Sequence, residues 1–152
     1  QGVVAATVMG MLGNTAEASD VGQEAFIRLY KSLDKFRNES SLKTYLIRIA
    51  INLSLNELKS RKRKYMHFVE DQNDFLKNNT YNKNESDFDN KELIEKALQQ
   101  LKPRDRSMIV LRLVQGYSTK ETADMLDLPI GTVLSGLSRA QKKLKKIITE
   151  LE

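Results

Sequence analysis

A chain of 152 residues can form one ordinary domain or two small ones. Its formal charge of +5 and pI near 9.4 favour a polyanionic partner, either nucleic acid or an anionic membrane surface, although a soluble helical protein with a mildly basic face would have the same totals. The lack of cysteine and the single His67 exclude disulfides and thiolate or histidine-rich metal sites, so we expect no metal and no cofactor. No apolar run approaches the ~20 residues of a membrane span, so no membrane insertion is expected.

The front of the chain, to about Lys64, has apolar residues at three- and four-residue spacing, which predicts an all-α segment. A first helix over 3–12 would end at Gly13–Asn14, and Thr15 is placed to cap the next helix. Because the chain begins with Gln and enters an apolar helix at once, we expect the first helix to be incomplete. The second helix carries four apolar residues on one face: Phe26, Leu29, Tyr30 and Leu33.

A polar loop with the sequence FRNESS leads into a long predicted helix over 41–64. An apolar stripe is expected to bury this helix at Leu42, Tyr45, Leu46, Ile49, Ala50 and Leu53. The helix ends in the cationic run KSRKRK, which suits either a helix C-terminus in solvent or contact with a polyanion.

The segment over 65–90 separates two periodic regions and has a different composition. It is rich in Asn and Asp, leans acidic and shows no helical period, so it is interpreted as a flexible linker. A run this long without a pattern indicates two small helical domains, over 1–64 and 91–152, rather than one.

The back of the chain predicts four further helices. The first has an apolar face at Leu93, Ile94, Ala97, Leu98 and Leu101. Pro103 opens the second, whose candidate core positions are Met108, Ile109, Leu111, Leu113 and Val114. Ser118 and Glu121 form the S-x-x-E capping box of the third. Asp127 tolerates a left-handed backbone in the following turn, and Pro129 suits the first turn of the last helix.

The last two helices and their short turn have the helix-turn-helix arrangement, whose second helix can enter the major groove of DNA. Its apolar residues Val133, Leu137, Ala140, Leu144 and Ile147 are predicted to face the core. The residues left to face DNA are Thr132, Ser135, Ser138, Arg139 and Lys142. Ser135 can bond a base edge or a phosphate, Arg139 can bind guanine or a phosphate, and the lysines that follow add sequence-independent charge. Helix pairs with short turns are common in all-α proteins, so the spacing alone leaves a structural role open.

Two long stretches resemble the domains of bacterial RNA polymerase sigma factors. SDVGQEAFIRLYKSLDKFR followed by SLKTYLIRIAINLSLNELKSRKRK is similar to their region 2, and LKPRDRSMIVLRLVQGYSTKETADMLDLPIGTVLSGLSRAQKKL is similar to their region 4. The two occur in the family's order with only a linker between them, which is the plan of the extracytoplasmic-function (ECF) type. The resemblance implies a cytoplasmic protein that binds core RNA polymerase, recognises promoter DNA and promotes initiation of transcription, and that is not itself an enzyme.

The resemblance also implies roles for particular residues of the front domain. Asp20, Gln23 and Glu24 correspond to the Asp-x-x-Gln-Glu segment that docks on the clamp helices of the polymerase's largest subunit. The loop FRNESSLK corresponds to the specificity loop, which holds an extruded base of the minus-ten element. The candidates for minus-ten contacts are Asn38, Ser40, Ser41, Lys43, Arg48, Asn52, Asn56, Lys59, Arg61, Lys62 and Arg63. Asn52 could instead be structural, and Tyr45, where the family often has Trp, is expected to lie in the core.

The chain also departs from the family at three positions. Gly22 stands where the family usually has a bulky aliphatic residue, and Leu134 and Gly136 stand where cations are frequent in the final helix. Minus-thirty-five recognition is therefore expected either to be weaker or to use a different sequence, read by Ser135 and Arg139. The linker resembles the family segment that runs through the polymerase near its active centre.

The sequence is thus identified as an all-α ECF sigma factor of two small helical domains joined by a flexible linker, without catalytic residues. Core RNA polymerase and promoter DNA are the expected partners, and family members are commonly bound by an anti-sigma factor, although no residue here identifies one. Two alternatives stay open from the residues alone. One is a helix-turn-helix transcriptional regulator that binds duplex DNA without acting as a polymerase subunit, and the other is a helical adaptor that binds acidic proteins or membranes through its lysines.

Overall fold

The computed structural model describes residues 2–71 and 90–152, and every regular element in these ranges is helical. The front range holds α1 (Gly2–Leu12), α2 (Ala16–Ser32), a 3₁₀ turn (Leu33–Lys35) and α3 (Leu42–Asp71). The back range holds α4 (Asn90–Gln99), α5 (Pro103–Ile109), a π-helical turn (Val110–Val114) that continues α5, α6 (Thr119–Leu126) and α7 (Ile130–Leu151). The predicted all-α fold class is confirmed.

The turn between α1 and α2 forms where the sequence predicts it. Gly13 adopts a φ of 76°, a left-handed conformation that costs glycine little, and its N–H donates to the Met9 carbonyl at 2.8 Å. Thr15 then caps α2, because its Oγ1 accepts a hydrogen bond from the Ala18 N–H at 3.2 Å.

The two turns around α6 are also formed by local chemistry. The Glu121 N–H donates to Ser118 Oγ at 3.0 Å, and the Ser118 N–H donates to Glu121 Oε1 at 3.1 Å, which confirms the capping box. The hydrogen bond from the Ser118 backbone N–H, with a smaller contribution from the Ser118 side chain, holds the pKa of Glu121 below its usual value. Asp127 has a φ of 55°, as predicted for the turn, and Pro129 precedes α7 as its N-cap.

The predicted stripe of α3 is confirmed at Ala50 and Leu53, which are buried, while Tyr45, Leu46 and Ile49 are half-buried. Helix α3 is longer than predicted. It continues to Asp71, seven residues into the segment interpreted as a linker. Its fully buried side chains follow the i, i+3, i+4, i+7 pattern at Ile47, Ala50, Ile51 and Ser54. Leu42, predicted to be buried, is exposed, because at ~100° per residue it lies about 140° from Ile47 around the helix.

The π-helical turn corrects the predicted core of the second back helix. Met108, Ile109 and Leu111 are buried as expected, whereas Leu113 and Val114 are exposed. The Gln115 N–H bonds the carbonyl five residues earlier, at 2.9 Å, so this turn holds more residues than an α-helical turn. The extra residue rotates the positions that follow it away from the core.

The front and back ranges share one hydrophobic core. Val4, Val8 and Met11 of α1 belong to the same buried cluster as Val110 and Leu111 of the π-helical turn, together with residues of α3 and α6. A second cluster joins α4, α5 and α7. Of the predicted α4 face, Ile94 lies outside this core and is exposed.

Arg106 is the main polar connection at this junction. Its side chain is only 4% exposed, and its guanidinium donates to the carbonyls of Met11 at 2.5 Å, Leu98 at 2.7 Å, Leu101 at 2.8 Å and Gln99 at 2.9 Å. It therefore supplies donors to the C-terminal ends of both α1 and α4. Burial, with a smaller contribution from the positive charge of Arg61, lowers the pKa of Arg106 to about 10, so the guanidinium stays charged at neutral pH.

Candidate nucleic-acid interface

The loop before α3 is ordered by its own side chains. Asn38 has a φ of 57°, a left-handed conformation that Asn adopts more readily than most residues. Ser41 caps α3, since its Oγ accepts from the Thr44 N–H at 3.1 Å and donates to Thr44 Oγ1 at 2.9 Å. Ser41 thus has a structural task as well as its predicted role, and a serine before a periodic apolar run is the sequence signal for it.

A groove of about 660 Å³ opens beside this loop. Its lining includes Ser40, Ser41 and Arg48 of the predicted minus-ten set, together with Lys35 and Arg37. Helix α6 closes the other side with Glu121, Asp124 and Met125. The first turn of α3 is also joined to the residues before α6, because the Thr44 and Tyr117 hydroxyls are 3.2 Å apart.

Aromatic side chains support the same loop from below. The rings of Phe36 and Tyr45 have centroids 5.2 Å apart with a tilted geometry, and the Tyr45 hydroxyl donates to Ser32 Oγ at 3.0 Å. Tyr45 is half-buried by these contacts. Its ring therefore connects the loop to the C-terminal end of α2.

The exposed side of α3 carries a polar row that leads away from the loop. Its members share one side of the helix and are all exposed: Arg48, Asn52, Asn56, Lys59 and Arg63. Lys62 is exposed beside this row, whereas Lys43 is exposed but lies about 140° from Arg48 around the helix. From Arg48 to Arg63 the row is about four turns long and combines cations with amides, which suits contact with a phosphate backbone.

Arg61 differs from the other cations of α3. It faces α2, where its guanidinium lies 3.7 Å from Glu17 and donates to Thr15 Oγ1, the N-cap of α2, at 3.4 Å. It also lies 3.6 Å from Glu57, one turn earlier on α3. The structure thus places Arg61 in an ion-pair network between helices and does not group it with the exposed row.

A second groove, of about 430 Å³, lies between α2 and α3 and is acidic. Its carboxylates come from Glu17, Asp20, Glu24 and Glu57. Arg28 pairs with Glu24 at 3.1 Å, which leaves Asp20 as an exposed carboxylate at the groove. Gln23 is exposed on the same helix. The predicted Asp-x-x-Gln-Glu residues therefore lie on one accessible, net acidic surface.

The departure at Gly22 concerns the packing of α2 on α1. A Cβ at this position would lie 3.8 Å from side-chain atoms of Val4 and Val8, an ordinary van der Waals distance. The backbone of α2 is thus already close enough to α1 for these valines to meet it directly.

The side chains of α7 that were predicted to be exposed are largely exposed, and those predicted to face the core are largely buried. Ser135, Ser138, Arg139 and Lys142 are exposed, and Thr132 is half-buried. Of the predicted core positions, Val133, Leu137, Ala140 and Ile147 are buried and Leu144 is half-buried. The Ser135 hydroxyl donates to the Thr132 carbonyl at 3.3 Å.

The two departures in α7 differ in their surroundings. Gly136 is buried, and a Cβ there would lie 2.9 Å from Met108 Sδ, so this position faces α5 rather than solvent. Leu134 is 55% exposed. Only Leu134 therefore changes the accessible surface of α7.

Sequence reasoning missed the contacts that hold the two grooves in one body. Besides Arg106, Gln115 at the end of the π-helical turn joins the back range to α1. Its side-chain amide donates to the Val3 carbonyl at 3.3 Å and to Thr7 Oγ1 at 3.0 Å. Gln115 lies more than a hundred positions from these two partners in the chain, and no short sequence motif predicts the contacts.

Comparison with known proteins agrees with this geometry. Residues 1–64 match the family described as Sigma-70 region 2, and residues 91–144 match the family described as Sigma-70, region 4. The ECF RNA polymerase sigma factor SigW of Bacillus subtilis is 30% identical over 152 residues, which cover 93% of this chain and 80% of that protein. The RNA polymerase sigma-H factor of Pseudomonas aeruginosa is 31% identical, with 95% and 79% covered.

A solved structure extends the comparison to three dimensions. The sigma factor RpoE of Bartonella quintana, crystallised with the anti-sigma factor NepR, superposes with a TM-score of 0.73 at 25% identity, over 97% of this chain and 91% of that one. The chain therefore belongs to the RNA polymerase sigma factors, the proteins that direct transcription initiation. Within that family it is of the ECF type.

Over residues 2–71 and 90–152, none of the helices combines the length and apolarity needed to cross a membrane. The same ranges hold no group of three or more potential metal-ligating His, Cys, Asp or Glu side chains.

Proposed function

We propose that this ECF sigma factor binds core RNA polymerase through the acidic groove of α2 and α3 and reads promoter DNA at two places. The observation that carries this proposal is the presence of region 2 and region 4 in order, each with its own exposed polar surface. Residues 1–64 and 91–152 act as the two functional domains, joined through 65–90. The polymerase supplies the catalytic chemistry, so the chain acts in the cytoplasm as a non-enzymatic subunit.

The acidic groove suits a partner helix that carries basic or hydrogen-bond-donating side chains. Asp20 offers an exposed carboxylate, Gln23 an amide, and Glu24 a carboxylate that is already oriented by Arg28. The opposite charge of such a partner would speed association and fix its orientation. These three residues match the family segment that docks on the polymerase clamp, and we assign them that role here.

The loop and α3 contact the minus-ten element. Ser40, Ser41 and Arg48 line the loop side of the first groove, and hydrogen bonds from them would offset the few kcal/mol needed to extrude a base once α6 has moved away. The exposed row from Arg48 to Arg63 then tracks the phosphates. Arg61 is the exception among the predicted residues, since its ion pairs with Glu17 of α2 and Glu57 of α3 favour a supporting role.

Helix α7 contacts the minus-thirty-five element in the major groove. Ser135 and Ser138 lie where the N-terminal part of a recognition helix meets base edges, and Arg139 and Lys142 follow toward the phosphates. An anti-sigma factor is a further expected partner, because the Bartonella quintana relative was crystallised with one.

Transcription from reconstituted polymerase tests this function. We expect core RNA polymerase mixed with the purified chain to produce run-off transcripts from a defined subset of a genomic library, none of which core enzyme makes alone. A chain that bound promoter duplex by itself and never bound core enzyme would be a helix-turn-helix regulator. Affinity for DNA that ignored sequence, again without core binding, would point to an adaptor.

The acidic groove makes a separate prediction. The double variant Asp20→Ala, Glu24→Ala is expected to weaken binding to core polymerase by about tenfold or more, because it removes two carboxylates from a charge-complementary contact. Fluorescence anisotropy of labelled chain titrated with core enzyme measures the dissociation constant.

The matched control removes the same charge elsewhere. Glu150→Ala with Glu152→Ala alters two exposed carboxylates at the end of α7 and is expected to leave core affinity unchanged. Unaltered core affinity in the Asp20 and Glu24 variant, with its helical circular dichroism intact, would reject the assignment.

A further inference from the structure

The first nine residues of α7 lack the side chains with which recognition helices most often read guanine. Residues 130–138 contain no charged residue, and the cations begin at Arg139. Arg or Lys bonded to the O6 and N7 of guanine is the commonest specific contact in the major groove. Residues 130–138 can therefore read base edges only by hydroxyl groups and apolar contact.

Leu134 is 55% exposed and Ile130, one turn earlier, is 50% exposed, whereas Val133 and Gly136 are buried. Leu134 is therefore the more exposed of the two large apolar side chains that residues 130–138 offer to a partner. At ~100° per residue, Leu134 lies within about 40° of Ser138 and one turn before it, so the two share the exposed side of α7. The fold itself does not account for the position, since Leu134 belongs to neither buried cluster nor to the residues packed against them.

The surface around Leu134 permits a close approach. A Cβ at Gly131, one turn earlier, would have no atom within 4 Å, and Ser135 and Ser138 are small. Leu134 therefore projects beyond these small residues, with Ile130 as its large apolar neighbour one turn earlier. DNA that approaches this side of α7 meets Leu134 before it meets any cation.

The major groove offers one apolar group on a base edge, the C5 methyl of thymine. A leucine has no donor or acceptor, so burial of this methyl is the base contact that it can favour. Guanine and cytosine would leave their polar edges against the leucine without hydrogen bonds, which is unfavourable.

We propose that Leu134 is a specificity determinant that contacts the C5 methyl of a thymine in the upstream promoter element. The inference rests on the proposed function of α7 as the reader of that element. It predicts that this sigma factor requires a T·A pair at the position that Leu134 faces, where a cationic side chain would select guanine.

The test uses the full chain in complex with core polymerase. Promoters selected from a library randomised in the upstream element are expected to share one T·A pair. That thymine is then replaced by deoxyuracil, which lacks only the C5 methyl group, and the dissociation constant of the holoenzyme is measured at fixed salt. Loss of one buried methyl is expected to weaken wild-type binding about fourfold, while Leu134→Ala binds both DNAs equally.

Two further variants separate the outcomes. Leu134→Arg is expected to move the selected base toward guanine, and Arg139→Ala is expected to weaken binding to all upstream sequences. Arg104→Ala, an exposed arginine on α5, is the matched control for loss of charge.

Each alternative result is decisive. In one outcome, Arg139→Ala weakens binding, but removal of the thymine methyl changes the affinity of wild type and Leu134→Ala equally, or changes the affinity of neither. Leu134 then does not contact the methyl, and the proposal is overturned while the function of α7 stands. If Leu134→Ala instead lowers affinity for core polymerase without DNA, the residue is a protein contact and the proposal is likewise overturned. If the wild type selects no upstream sequence and Arg139→Ala has no effect, both the proposal and the function assigned to α7 fail.

Discussion

Replacement of Arg106 by methionine is expected to lower the free energy of unfolding by about 3 to 5 kcal/mol. Methionine has a similar length but no donor, so the carbonyls of Met11, Leu98, Gln99 and Leu101 would lose the hydrogen bonds that the guanidinium supplies at the ends of α1 and α4. Urea unfolding followed by circular dichroism measures the change.

A matched control comes from the same helix. Arg104 is exposed two positions earlier, and Arg104→Met is expected to change the free energy of unfolding by less than about 0.5 kcal/mol. Arg106→Lys should fall between the two, because one ammonium cannot reach all four carbonyls. A loss below about 1 kcal/mol in Arg106→Met would mean that water replaces the guanidinium and that the junction is weakly held.

The distance between the two segments is expected to rise sharply in the promoter complex. The minus-ten and minus-thirty-five elements are about 25 base pairs apart, or roughly 85 Å of duplex. A compact chain of 152 residues has a radius of gyration of about 15 Å and so measures roughly 40 Å across. The body with one shared core cannot span both elements, so the contacts between α1 and the π-helical turn must open if both are bound.

Paired labels report this change directly. The chain has no cysteine, so Asn14→Cys with Gln100→Cys gives two specific labelling sites, both exposed. They lie near each other in the present structure, because Gln99 packs within 3.5 Å of the Cβ position of Gly13. With spin labels on both cysteines, pulsed electron–electron double resonance is expected to show a short label-to-label distance in the free chain. In the promoter complex the distance is expected to exceed roughly 40 Å.

A label pair within the back segment controls for local changes. Gln100→Cys with Lys120→Cys should keep the same distance in both states, since α4 and α6 belong to one segment. If the Asn14–Gln100 distance stayed short in a complex that starts transcription, the two surfaces would have to reach the promoter without separating. The assignment of α7 to the distant element would then be wrong.

The local features of the fold could be predicted from short stretches of sequence. Gly13, Thr15, Ser118 and Asp127 form the turns and caps expected of them, because each acts on backbone groups within a few positions. The exposed set on α7 was predicted by subtraction from its apolar period, and the structure exposes Ser135, Ser138, Arg139 and Lys142.

The errors share a different cause. Leu113 and Val114 were placed in the core by a constant helical period, and the π-helical turn breaks that period. Leu42 was included in a stripe that ignored which side of α3 meets α1 and α2. Arg61 is a different case: its DNA contact stays a prediction, and the structure adds its ion pairs with Glu17 of α2 and Glu57 of α3.

The sequence by itself determined the helices, their caps and the family, because each depends on contiguous residues or on a repeated period. Only the tertiary structure decided which sides of those helices are buried where the two segments meet. Arg106 bonds the Met11 carbonyl from 95 positions away, and Gly136 faces Met108 rather than DNA. Such burial depends on how one helix is rotated against another, and that rotation is set by packing partners distant in the chain. Of the two positions at which α7 departs from the family, Leu134 and Gly136, only Leu134 is therefore accessible to a partner.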